Sequence, residues 1–150
     1  IDACLVGSEM CIRDRYLDGI KVGDGGQTTG RINLSVYPTS DFKFNLAVFG
    51  ADNIFSNINA EDFDEPDGGN AQLPAYKLFD FGAGYNFDLF GNSAYLRLNI
   101  NNLFDEEYYP EMENNYLATD DTTNYMGINT ANRIFPGWGR TWNVGLTYRF

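Results

Sequence analysis

Thr141-Trp142-Asn143-Val144-Gly145-Leu146-Thr147-Tyr148-Arg149-Phe150 closes the chain with an apolar side chain at every second position. Trp142, Val144, Leu146, Tyr148 and Phe150 fall on one side of an extended backbone, because neighbouring strand side chains point to opposite faces. Asn143, Gly145, Thr147 and Arg149 fall on the other. The stretch reads as a strand with one greasy and one polar face.

Four upstream segments repeat this alternation. Ile32, Leu34 and Val36 interleave with Arg31, Asn33, Ser35 and Tyr37, and Phe42, Phe44, Leu46 and Val48 with Lys43, Asn45, Ala47 and Phe49. Phe79, Phe81, Ala83, Tyr85 and Phe87 oppose Asp80, Gly82, Gly84 and Asn86. Ala94, Leu96, Leu98 and Ile100 oppose Tyr95, Arg97, Asn99 and Asn101. Tyr16 to Val22 is expected to form a sixth, poorer strand. The fold class is therefore all-β and antiparallel.

Composition removes several functions. The 150 residues carry 21 acids, 10 bases and no histidine, a net charge of −11. Such a chain lacks the clustered Lys and Arg that nucleic acid or an anionic membrane surface requires. Without histidine it has no imidazole for acid–base chemistry or metal ligation. Aromatic residues are heavy, with 10 Tyr, 12 Phe and 2 Trp, beside 16 Gly and 17 Asn. No apolar run is long enough for a transmembrane helix.

The two cysteines lie in Cys4-Leu5-Val6-Gly7-Ser8-Glu9-Met10-Cys11-Ile12-Arg13-Asp14-Arg15, which resembles the conceptual translation of a sequencing-library adapter. It shows no period, and Glu9 interrupts an apolar run too short for a secretory signal. Residues 1–15 are therefore set apart as non-native and residues 16–150 are taken as the domain. The latter hold no cysteine and carry 8 bases against 18 acids, or −10. The open start leads us to expect a truncated chain.

Connections alternate in length. Pro38-Thr39-Ser40-Asp41 is a compact turn, with Pro setting φ and Ser or Asp supplying acceptors. Asp88 to Ser93 is another, with Gly91-Asn92 tolerating positive φ. Long polar loops are expected from about Ala51 to Pro74 and from Asp105 to about Gly137, with a shorter Gly-rich one from Gly23 to Gly30. The two long loops hold thirteen of the 18 acids outside residues 1–15. All of these loops would leave one rim of the sheet.

Any one-sided antiparallel sheet shows such alternation, and soluble sandwiches are the commoner case. Three features favour a membrane wall. Segments such as Phe42–Gly50, Tyr76–Phe87, Ala94–Phe104 and Gly139–Phe150 approach the roughly 9–11 residues that span a bilayer when tilted. Short turns alternate with long loops, as in outer-membrane barrels. Aromatics gather near strand ends, where interfacial girdles lie. A terminal apolar edge strand would also invite aberrant pairing in a soluble protein, whereas a barrel pairs its last strand with its first.

Three stretches resemble the C-terminal barrel portion of TonB-dependent outer-membrane receptors. Leu73-Pro74-Ala75-Tyr76-Lys77-Leu78-Phe79-Asp80 to Phe87 is similar to the family's proline–tyrosine–aspartate strand. Leu98 to Tyr109, with Asn102-Leu103-Phe104-Asp105, resembles its late N-L-F-D-x-x-Y segment. Phe135 to Phe150, with Gly137-Trp138-Gly139-Arg140-Thr141, resembles its closing G-x-x-R-T strand, most like receptors of the Bacteroidota. Trp142, Val144, Leu146, Tyr148 and Phe150 resemble the terminal signal read by barrel-assembly machinery. The resemblance covers the last half of the chain firmly and Gly30–Gly50 loosely.

It implies a fragment with five or six strands of a barrel of about 22, placed in the outer membrane of a Gram-negative bacterium. It also implies energised uptake of a scarce nutrient such as a ferric siderophore, haem, cobalamin or an oligosaccharide. Expected partners are outer-membrane lipid and lipopolysaccharide, the assembly machinery, the nutrient ligand, and TonB through a plug region not in this chain. No cofactor is expected, nor a catalytic residue, since barrel proteases and lipases need a His-activated group. A passive porin and a structural or adhesin barrel are the alternatives.

Lys43, Arg97, Asn99 and Asn101 take the polar phase and are the candidates to face the lumen, where most such residues only hydrate the wall. Asn101 to Asp105 should be structural, its Asn and Asp side chains satisfying backbone groups where the ladder ends. Arg140 takes the outward phase, within reach of headgroups. Asp62, Asp64 and Asp67, in Glu61-Asp62-Phe63-Asp64-Glu65-Pro66-Asp67, are weak candidates for calcium, a hard cation that takes oxygen ligands. The EF-hand spacing is absent, and a solvated loop is the simpler reading.

Overall fold

The alternating segments become strands because β-branched and aromatic side chains fit a pleated surface and Gly and Asn punctuate its ends. In the computed structural model the described residues are 23, 25–56 and 70–150. Residues 1–15, the Tyr16–Val22 segment and the candidates Asp62, Asp64 and Asp67 lie outside them. The fold of the described residues is all-β and antiparallel, with no helix. Strands β1 (Gly26–Val36), β2 (Phe42–Phe55), β4 (Tyr76–Leu89), β5 (Asn92–Asn101) and β10 (Thr141–Tyr148) form one sheet in the order β1-β2-β4-β5-β10. The short β3 (Gln72–Leu73) pairs with the end of β2.

The chain divides into two compact units. The sheet unit comprises residues 29–51, 75–108 and 137–150. Its register brings the apolar phases of neighbouring strands onto one face: Val144 lies opposite Leu98, Leu98 opposite Ala83, and Ala83 opposite Phe44. The next apolar row is Leu146, Leu96, Tyr85 and Phe42. Phe42 and Tyr85 stack with ring centroids 4.2 Å apart, and Tyr85 and Phe87 at 5.5 Å. Ser35 bonds to Asn45 and Arg31 to Asp80, so β1 keeps the same facing, with Ile32, Leu34 and Val36 on the apolar side.

That apolar face is not a core. Ile32, Leu34, Trp142, Val144 and Leu146 are all more than half exposed, Trp142 at 71%. Within the sheet unit burial reaches only small residues, Ala47, Ala51, Gly84 and Ala94, and the amide of Asn102. The largest fully buried side chains, Ile54, Leu73, Met112 and Ser56, all belong to the other unit, whose described residues come from 1–28, 52–74 and 109–136.

The structure corrects several boundaries. Strand β2 continues past Ala51 to Phe55, through Asn53 at φ 53°, and pairs Ile54 with Leu73. Strand β1 starts at Gly26, so the Gly-rich connection is shorter than expected. Strand β5 stops at Asn101 because Asn102 turns to φ 51°. The long segment after Asp105 carries two small ladders, β6 (Glu111–Glu113) with β9 (Arg133–Phe135) and β7 (Asn124–Tyr125) with β8 (Ile128–Asn129).

Both tight turns differ in detail. The Thr39 hydroxyl, rather than Ser40 or Asp41, caps the first by accepting from the N–H groups of Asp41 and Phe42 at 3.3 and 3.2 Å. In the second, the positive φ values belong to Phe90 (52°) and Gly91 (80°), and Leu89 pairs with Asn92. Two central residues at positive φ make a type I′ hairpin, whose twist matches that of the strands.

Candidate functional site

Polar side chains alternating with the apolar ones must share the opposite face of the sheet, and there they build a groove of about 370 Å³. All four sequence candidates, Lys43, Arg97, Asn99 and Asn101, line it. They stand in rows across the strands. Lys43, Gly84, Arg97 and Gly145 form one row; Asn45, Gly82, Asn99 and Asn143 form the next.

The amide row is knit by hydrogen bonds. Asn99 Nδ2 donates to Asn143 Oδ1 at 2.9 Å, and Ser35 Oγ donates to Asn45 Oδ1 at 2.8 Å. Asn101 Nδ2 donates to Thr141 Oγ1 at 3.1 Å. Two of the four candidates thus have wall partners. Lys43 and Arg97 have no acid partner among the described residues.

Arg31, Asp80 and Tyr95 also line the groove, and reading the sequence does not single them out. Arg31 reaches Asp80 Oδ2 at 3.4 Å across β2, where the register partner of Asp80 is the small, buried Ala47. The pair is partly exposed and contributes at most about 1 kcal/mol. Asp80 Oδ1 also accepts the Asn102 N–H at 3.1 Å. Tyr95 lays its ring over Gly84, where an added Cβ would come within 2.9 Å of Cζ.

Beyond β5, the Asn102 to Asp105 segment is a structural knot. Asn102, 3% exposed, donates through Nδ2 to the carbonyls of Glu106 (2.9 Å) and Trp138 (3.2 Å), and its Oδ1 accepts the Glu106 N–H at 2.8 Å. Leu103 N–H donates to Phe79 O, and Phe104 meets Phe79 edge-on at 5.0 Å. Tyr108 packs on Tyr76 at 4.5 Å and covers Gly137, whose N–H donates to Tyr108 O at 2.8 Å. The motif residues thus pair off, Asp105 N–H donating to Asn102 O at 2.9 Å and Gly137 N–H to Tyr108 O.

On the apolar face, Trp142, Val144, Leu146 and Tyr148 stand in line along β10 at the edge of the sheet. Arg149 N–H still donates to Ser93 O, so the ladder runs almost to Phe150. Tyr148 Oη accepts a hydrogen bond from Asn92 Nδ2 at 2.9 Å. Among the described residues no cluster of three or more His, Cys, Asp or Glu is arranged to hold a metal.

The groove therefore offers charge and hydrogen bonds on a regular sheet, with apolar surface on the reverse. Comparison with protein-family models, curated proteins and solved structures gives no match to this chain.

Proposed function

We propose that this chain is part of the wall of an outer-membrane β-barrel, the C-terminal portion of a TonB-dependent receptor that takes up a scarce nutrient. The observation that carries the reading is the apolar face itself. It extends over β1, β2, β4, β5 and β10, and many of its large side chains, Ile32, Trp142, Val144 and Leu146 among them, stand more than half exposed with no second layer of the sheet unit across them. Removing a Leu- or Phe-sized side chain from water contributes about 1.5–3 kcal/mol, so lipid would stabilise such a face more than solvent does.

Strand lengths support the same reading. Strands β2 and β4 have 14 residues each and β5 has 10, against roughly 9–11 needed to span a bilayer, whereas β10 has 8 and is shorter than the expected Gly139–Phe150. In this reading the polar groove lines a wet lumen, and the two tight turns face the periplasm. Lipid and lipopolysaccharide touch the apolar face, and the terminal strand is the part the assembly machinery reads. A plug upstream would contact TonB and gate a siderophore, haem, cobalamin or an oligosaccharide.

The test is expression of the complete reading frame in a Gram-negative host, followed by fractionation and heat-modifiable gel mobility. Recovery in the outer membrane with a plug encoded upstream is the expected result. A compact monomer in buffer without detergent would end the membrane reading. An inserted barrel with no plug would replace the receptor by a passive porin.

A further inference from the structure

We propose that Lys43, Tyr95 and Arg97 form a binding site for a small polyanion, one with at least two carboxylate or phosphate groups, on the polar face around Gly84. The inference does not depend on what covers the apolar face. Register sets Lys43 and Arg97 on either side of Gly84, two strand spacings or about 10 Å apart. Gly84 has no side chain, and Tyr95 Oη occupies the space above it. An ammonium, a phenol and a guanidinium thus point into one groove from adjacent positions.

All three can donate hydrogen bonds, and none has a carboxylate partner among the described residues. Lys43 Nζ lies 5.6 Å from the Tyr37 ring centre, a contact that neutralises no charge. Asp80 and Asp88, the acids of β4 with the polar phase, each stand four residues from Gly84, about 13 Å along the strand. That exceeds the Debye length of about 8 Å at physiological ionic strength, and Asp80 is already paired with Arg31. Arg31, Lys43 and Arg97 outnumber Asp80 among the charged residues that line the groove, although the chain carries −11 and Asp41 precedes Lys43 by two residues in the same phase.

A third cation extends the site. Tyr95 also lines a neighbouring hollow of about 280 Å³ that includes Arg149. A ligand with one acidic group between Lys43 and Arg97 could set its second toward Arg149, which favours a polyanion over chloride or acetate. Guanidinium and ammonium groups bind carboxylate and phosphate oxygens through charge-assisted hydrogen bonds.

The test is calorimetric titration of citrate, and separately of inorganic pyrophosphate, into the complete protein in a non-ionic detergent. Saturable binding of either, weakening as salt is raised, is expected. Lys43→Gln and Arg97→Gln should each weaken it roughly tenfold, the scale of one hydrogen bond to a charged group. Tyr95→Phe, which keeps the ring over Gly84, should weaken it about threefold. Lys77→Gln removes an equal charge from the other strand phase and should change nothing.

Binding of neither probe overturns the site, as does equal loss with Lys77→Gln, or full binding by both Lys43→Gln and Arg97→Gln. Circular dichroism on each variant separates lost binding from lost fold. A detergent-free soluble monomer that still binds citrate would end the barrel reading and leave this site standing. A properly inserted barrel that binds neither probe would do the reverse.

Discussion

The carboxylate of Asp105 accepts a hydrogen bond from the backbone N–H of Arg140 at 2.7 Å, although 35 residues separate them. Asp105 sits just after β5 and Arg140 just before β10, so this bond and those of Asn102 fix where the segment between the two strands leaves the sheet and returns. Asp105 itself holds φ at 59°, a conformation Asn and Asp adopt more readily than most residues.

Asn102→Ala should therefore lower stability by about 2–4 kcal/mol, since it removes the hydrogen bonds of a buried amide to Glu106 and Trp138 and forces Ala into the left-handed region. Asn102→Gly keeps the backbone conformation and loses only the hydrogen bonds, so it should be the milder of the two. Denaturant midpoints of both variants check this. Equal losses would show that the φ angle contributes nothing.

Leu98 and Asn99 are neighbours on opposite faces of β5. If the apolar face meets lipid, Leu98→Arg places a charge at mid-depth at a cost of roughly 2–4 kcal/mol and should block membrane assembly. Asn99→Arg enters the groove and should assemble almost normally. Surface labelling and heat-modifiable mobility read the difference, and indistinguishable behaviour would contradict the facing.

Two glycines near the C-terminus should respond in opposite ways. An added Cβ at Gly137 would overlap the Tyr108 ring, which is held against Tyr76, whereas at Gly145 it meets nothing within 4 Å. Gly137→Ala is expected to destabilise by about 1–3 kcal/mol. Gly145→Ala should be neutral or stabilising by up to about 1 kcal/mol, because glycine weakens a strand interior. Thermal unfolding of the pair tests the contrast.

Phe90 is 92% exposed and held at φ 52° in the β4–β5 turn, so it bears left-handed strain without packing in return. Phe90→Asn restores the residue type favoured before Gly in a type I′ turn and should raise stability by about 1 kcal/mol. The β7–β8 hairpin repeats the geometry, with Met126 at φ 50° and Gly127 at 80°. Met126→Asn should act in the same direction. A fall in the unfolding midpoint for either would mean that its exposed side chain has a stabilising contact.

The facing of each strand was legible because its alternation is strict: Leu96, Leu98 and Ile100 cannot share a face with Arg97 and Asn99. Lys43, Arg97, Asn99 and Asn101 could be grouped for the same reason. What the pattern hid was set by pairing. Arg31 meets Asp80 from 49 residues away and across a whole strand, which no local spacing encodes. The end of β5 was overrun because Leu103 and Phe104 prolong the apolar texture, while Asn102 turns the backbone at φ 51°. The end of β2 was cut short because Asp52 and Asn53 look like loop residues, yet Ile54 beyond them is buried against its β3 partner region.

The bonds at Asn102 and Asp105 also free the segment between β5 and β10 from any part in aligning those two strands. Both of its stems are closed by contacts among residues 102–108 and 137–140, so foreign sequence grafted between them would not have to define the β5–β10 register. Doubling a flexible insert adds only about 0.6 kcal/mol of closure entropy. Change within the segment is thus limited by its own unit, where Met112 is fully buried and Asn115 Oδ1 accepts from Ser56 Oγ and Ala71 N–H, rather than by the strands it connects.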